Sequence, residues 1–90
     1  MSGSVRVLFL ARFRDRFGRS EQQVDLAPTL ATVADLIHWL HANEPAAREE
    51  LSPGRAWRVA VNHALVPSDA FDRPLAPGDE VAFLPPVTGG

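Results

Sequence analysis

The sequence predicts a two-layer α+β domain, with one main helix packed on a mixed sheet of about five strands. Three observations predict it. Near the N-terminus, Val5, Val7, Phe9, Ala11 and Phe13 recur at period two. In the middle, Val33, Leu36, Ile37 and Leu40 fall on one helical stripe. Toward the C-terminus, short β-type runs are separated by turn residues at Asn62-His63 and at Ala76-Pro77-Gly78-Asp79.

The chain has 90 residues, which suits one domain over 1–90, with 85–90 read as an extended C-terminal arm. A domain of this size buries only about 60% of its unfolded surface, so its core is small. Hydrophobic residues make up 46% of the chain, enough to build such a core without cross-links. Cysteine is absent, which excludes disulfides, thiolate zinc sites and iron–sulfur clusters and is compatible with the cytosol. No signal peptide and no apolar run long enough for a membrane span is read. All nine basic residues are Arg, and the net charge of −2 argues against a nucleic-acid surface.

Ser4 to Phe13 reads as the first strand, with its odd positions facing the core. The even face carries Leu8 and Leu10 between Arg6 and Arg12, more apolar than a solvated face requires. Arg14 to Gly18 reads as a charged turn or a helical turn. Arg12, Arg14, Arg16 and Arg19 suggest phosphate binding, but Asp15 and Glu21 interrupt them and favour a solvated connection. Glu21 to Leu26 reads as a second strand, in a hairpin with the first.

Thr32 to Asn43 is the main helix. Thr32 suits the N-cap, with Asp35 placed to complete a capping box. Pro45 disfavours helical geometry at Glu44 and so ends it. His38 and His41 are three apart, but no third ligand lies near in sequence, and no metal site is expected. Ala46 to Leu51 suits a further helical turn before Ser52-Pro53-Gly54. Trp57 to Val61 is a third strand, and Asn62-His63 a tight reversal, since Asn tolerates positive φ. Ala64 to Val66 returns as a short fourth strand. His63 has no nucleophile or orienting partner nearby in sequence, so no catalytic role is assigned to it. Pro67 to Arg73 reads as a loop. Ala76-Pro77-Gly78-Asp79 fits a type II turn that launches the final strand.

That strand, Val81 to Leu84, leads into Pro85-Pro86-Val87-Thr88-Gly89-Gly90. The prolines stop the ladder and favour a stiff, extended backbone of about 3.1 Å per residue. Val87 and Thr88 are β-branched and also prefer extended geometry. Two glycines let backbone enter a slot too tight for a Cβ. The plainer alternative is a frayed terminus. A glycine pair joined to a strand by a Pro-Pro stiffener reads instead as a narrow arm for presenting a carboxylate.

The element order and this ending resemble the β-grasp, or ubiquitin-like, sulfur carriers, and among them the small subunits of molybdopterin synthases. Three stretches carry the resemblance: Val7 to Arg14, Val59 to Val66, and Pro74 through Gly90. The Pro-Pro-Val-Thr-Gly-Gly ending is the specific part. The resemblance implies that Gly90 is adenylated with ATP by an E1-like activating enzyme and then receives sulfur from a donor protein as a thiocarboxylate. An α-carboxyl has a pKa of about 3.5, so it is ionised at neutral pH and a poor electrophile until activated. The resemblance further implies a cytoplasmic, heterotetrameric synthase whose large subunit receives the arm and builds the dithiolene of molybdopterin. No cofactor would be bound by this chain itself, and it would act as a cosubstrate rather than a catalyst alone. Gly89, Thr88, Val87, Pro86 and Pro85 would contact the partners. So would Leu84, Leu65 and Leu10, which have the parity opposite to the core face. Two alternatives stay open at this point. One is a carrier for another pathway, such as thiamine or cysteine synthesis, or a protein modifier. The other is a non-reactive β-grasp binding module.

Overall fold

Val5, Val7 and Phe9 fill the buried side of the first strand, and the sheet is built outward from them. A computed structural model describes residues 3–86. β1 (Ser4–Phe9) pairs antiparallel with β2 (Glu21–Asp25), setting Val5 opposite Val24. On its other side, β1 pairs parallel with β5 (Glu80–Leu84), setting Val7 beside Val81 and Phe9 beside Phe83. β5 pairs antiparallel with β3 (Arg58–Val61), and β3 with β4 (Ala64–Leu65). The sheet order is β2-β1-β5-β3-β4. The first and last strands are therefore adjacent and parallel, with β5 at the centre.

Three helices complete the described fold apart from a 3-10 turn at Ser68–Ala70. α2 (Val33–Asn43) buries Val33, Leu36 and Leu40 in the same core as Phe9, Val61 and Phe83. Ile37, the fourth residue of the stripe, is half-buried. Its N-terminus is fixed by a reciprocal box. The Asp35 N–H donates to Thr32 Oγ1, and the Thr32 N–H donates to Asp35 Oδ2, each at 3.1 Å. The Ala31 N–H adds a third bond at 2.9 Å, and this bond is the chief reason the Asp35 carboxyl titrates below its ordinary value. Glu44 is extended, and Pro45 opens α3 (Pro45–Glu50) at the first helical position. One proline thus ends one helix and starts the next.

The first strand is shorter than the alternation suggests. It stops at Phe9, and α1 (Arg12–Phe17) follows. Ala11, with φ 53 and ψ −129, turns the chain, and the Phe13 N–H donates to the Leu10 carbonyl at 3.1 Å. Phe13 is buried as expected, but it enters the core from a helix. Phe17, on the same helix, stacks on Phe9 with ring centroids 4.2 Å apart.

Both predicted turns are present. Asn62 and His63 have φ of 50 and 73, the reversal that suits a two-residue hairpin. Gly78 has φ 88, and the Asp79 N–H donates to the Ala76 carbonyl at 3.0 Å. Among the described residues, no helix is long and apolar enough to cross a membrane.

Candidate functional site

The parity of β1, β3 and β5 separates a core face from an open face. On the open face, the register sets Leu8, Ala82, Ala60 and Leu65 in one row across four strands. A second row lies next to it, toward Pro85. The Leu10 N–H donates to the Phe83 carbonyl at 3.0 Å, which extends the β1–β5 ladder one residue past β1. Leu10 therefore lies level with Leu84, and Leu84 is opposite Arg58 in the ladder with β3. Leu10 is 41% exposed and Leu65 59%, the two large hydrophobic residues most open to solvent among those described. Leu8 and Leu84 are half-buried.

These rows make an apolar patch at the end of β5, where Leu84 leads into Pro85 and Pro86. Ala60 and Ala82 form its floor, since small side chains in the two central positions leave the leucines standing above them. Sequence reasoning named Leu8, Leu10, Leu65 and Leu84 on this face but passed over Ala60, Ala82 and Arg58. Their parity was the available signal. Leu10 is brought to the patch by the extended ladder rather than by lying within a strand. Pro85 and Pro86 follow Leu84 directly and are half-buried. Val87, Thr88, Gly89 and Gly90 lie outside the described residues.

The arginines after β1 are not simply solvated, contrary to the reading from sequence. Glu50 at the end of α3 is 1% exposed and faces three of the chain's guanidiniums. Arg55 donates to its Oε2 at 2.7 Å, while Arg12 and Arg16 approach Oε1 at 3.6 and 3.7 Å. Arg12 also donates to the Ala56 carbonyl at 2.6 Å. Arg19 pairs with Glu44 at 3.2 Å. These ties hold α1 and the loop before β3 against α3.

At the far end of the sheet lies a polar group. Arg6 bonds Glu80 at 2.5 Å, and the side chain of Asn62 donates to Asp79 at 2.9 Å. Arg6 is held above its ordinary pKa, chiefly by the Glu80 bond. His41, one of the two helix histidines, has Nε2 2.9 Å from the Leu51 carbonyl. Among the described residues, no group of three or more His, Asp or Glu is placed to hold a metal ion. What the described residues offer is a central strand, β5, ending at Pro85 and Pro86 beside an apolar surface.

Residues 7–90 match the model of the ThiS family. The chain belongs to that family. It is 41% identical over 86 residues to the molybdopterin synthase sulfur carrier subunit of Escherichia coli, covering 96% of this chain and 99% of the relative. Among solved structures it resembles molybdopterin converting factor subunit 1 of Pyrococcus furiosus, at 32% identity and a TM-score of 0.80. That match covers 96% of this chain and all (100%) of the other. It also resembles small archaeal modifier protein 1 of Haloferax volcanii, at 30% identity and a TM-score of 0.74, covering 98% and 100% of the two chains. The five-stranded sheet on its main helix is the β-grasp, ubiquitin-like fold of these family members.

Proposed function

We propose that this chain is the sulfur-carrier subunit of a cytoplasmic molybdopterin synthase, assembled with the large subunit as a heterotetramer. The observation that carries the reading is the family match running through residue 90, across a central strand that ends at the foot of the Pro85-Pro86 arm. The name of the Escherichia coli relative supports the choice of pathway.

In this reading the body supplies position and the arm supplies chemistry. β5 is clamped between β1 and β3, so Leu84 is fixed, and the two prolines carry the chain away stiffly. The Gly90 carboxylate attacks ATP inside an E1-like enzyme, forming the acyl adenylate and releasing pyrophosphate. Sulfide-level sulfur released by a donor protein then attacks the adenylate carbonyl, AMP leaves, and a thiocarboxylate results. Gly89 and Gly90 pass a slot too narrow for side chains. Leu10, Leu65 and Leu84, with Pro85 and Pro86, dock on the partners, and Val87 and Thr88 line the passage. The large subunit supplies the groups that act on the pterin, and this chain holds no cofactor of its own.

Intact-mass measurement after incubation with ATP, an activating enzyme and a sulfur source tests the reading. The expected product carries one oxygen-to-sulfur exchange, absent without ATP. Transfer of that sulfur to a pterin precursor by the large subunit completes the test.

The likeness to small archaeal modifier protein 1 favours a second reading, in which the same activated glycine is joined to lysines of other proteins. A peptide carrying the Gly90 end on a lysine side chain, found in cells, would establish it.

A further inference from the structure

Arg58 stands in the row of Leu10 and Leu84 and carries a charge that nothing in the described structure neutralises. It is exposed at the start of β3, opposite Leu84. Its Nη1 donates to the carbonyl of its neighbour Trp57 at 3.1 Å, and it forms no ion pair among the described residues. Its nearest basic neighbour in sequence differs in this respect, since Arg55 is bound to Glu50 at 2.7 Å.

Arg58 also borders a groove of about 610 Å³ at the edge of the sheet beyond the short β4. Arg55, Trp57, Val66 and Phe71 line it, and no acidic residue does. The Trp57 and Phe71 rings stack there at 5.7 Å. Val59 and Val66 have the core-face parity, so the groove's apolar lining lies on the other side of the sheet from Leu10 and Leu84.

A lone exposed arginine is ordinary. One placed in an apolar docking row is not, because any partner covering Leu10 and Leu84 must strip water from Arg58. Desolvating a guanidinium without a counter-charge is costly. A planar carboxylate meets it with two parallel hydrogen bonds. We propose that Arg58 is the specificity-determining contact of the sheet face, and that the large subunit presents to it an Asp or Glu side chain beside Leu84. This rests on the reading of the chain as a synthase subunit.

The test is calorimetric titration of the purified large subunit with the wild-type chain and with Arg58→Lys, Arg58→Leu and Arg58→Glu. Thermal melts confirm that each variant folds. Arg58→Leu is expected to weaken binding by roughly 30-fold or more, because it leaves the partner's carboxylate buried and unpaired. Arg58→Glu weakens it further, and Arg58→Lys keeps most of the affinity. Wild-type affinity falls with added salt more steeply than that of Arg58→Leu. An acid on the large subunit whose replacement is non-additive with Arg58→Leu identifies the contact. Arg58→Leu binding as tightly as wild type, or more tightly, overturns the inference while leaving the synthase reading intact. Failure of the wild-type chain to bind the large subunit overturns both.

Discussion

Asn62 bridges to Asp79 across the end of the sheet, joining the turn of the β3–β4 hairpin to the turn that launches β5. The Asn62 side chain donates to Asp79 Oδ1 at 2.9 Å, and its own carbonyl oxygen accepts from the Glu80 N–H at 2.9 Å. The Ala76 N–H donates to Asp79 Oδ2 at 2.8 Å, and this bond, ahead of Asn62, holds the Asp79 carboxyl below its ordinary value. A depressed carboxyl contributes stability above its unfolded pKa of about 3.8. In the acid range the unfolded chain binds more protons, so stability falls as pH drops through that value. Asp35 adds to the same dependence from the start of α2. Thermal melts between about pH 2 and 6 should show the loss. Asp79→Asn and Asp35→Asn should each flatten the slope, and an unchanged slope in the double variant would assign it elsewhere.

Leu36 and Leu40 are fully buried where α2 meets the sheet. Truncating either to Ala should cost roughly 2–5 kcal/mol. Denaturant titration reads this directly, and a loss well under 1 kcal/mol would mean that the site collapses around the smaller residue.

Ala11 turns the chain at φ 53, a conformation that glycine adopts without strain. Ala11→Gly relieves a local cost of order 1–3 kcal/mol, against about 0.4–1 kcal/mol of added unfolded-state entropy. The expected outcome is a melting temperature unchanged or raised. Ala11→Val should lower it, since a β-branched side chain at positive φ is strained further.

The apolar rows predict a separation of folding from docking. Leu10→Asp with Leu84→Asp should leave the melt nearly unchanged, because Leu10 is exposed and Leu84 half-buried at the end of its strand. The same double variant should bind both the activating enzyme and the large subunit more weakly, since a carboxylate would enter an apolar contact. Wild-type affinity would move the docking surface to another face.

Deleting Gly90 should abolish thiocarboxylate formation with no change in melting temperature. The deleted chain keeps the rows on its open face and should compete with the intact one for the large subunit. Thiocarboxylate formation by the deletion variant would remove the central claim.

The sheet and α2 were legible because their signals are local. Period-two alternation, one apolar stripe, a capping box and two turn sequences each act within a few residues. The end of β1 was not legible, since Phe13 keeps the odd parity of Val5 to Phe9 although it reaches the core from α1. Only an alanine marks the break, and nothing in its side chain announces a positive φ. The arginine cluster failed for another reason. Arg12 and Arg16 read as solvated because their partner, Glu50, lies on a helix far along the chain. Gly3 was passed over as well. A Cβ there would fall 2.3 Å from that of Pro77, so the strand's entry fits under the β5 turn only without a side chain. On the open face, the leucines were found by parity, whereas Arg58 was not singled out, since a charged residue at a strand end draws no notice.

The central place of β5 also decides how the molecule bears load. A pull applied beyond Pro86 runs along β5, which is bonded to β1 on one side and β3 on the other. Both ladders lie across the line of force, so their hydrogen bonds resist together in shear. A strand peeled from the rim of a sheet gives way one bond at a time. A load entering at Pro86 is therefore borne by both ladders until the sheet as a whole yields.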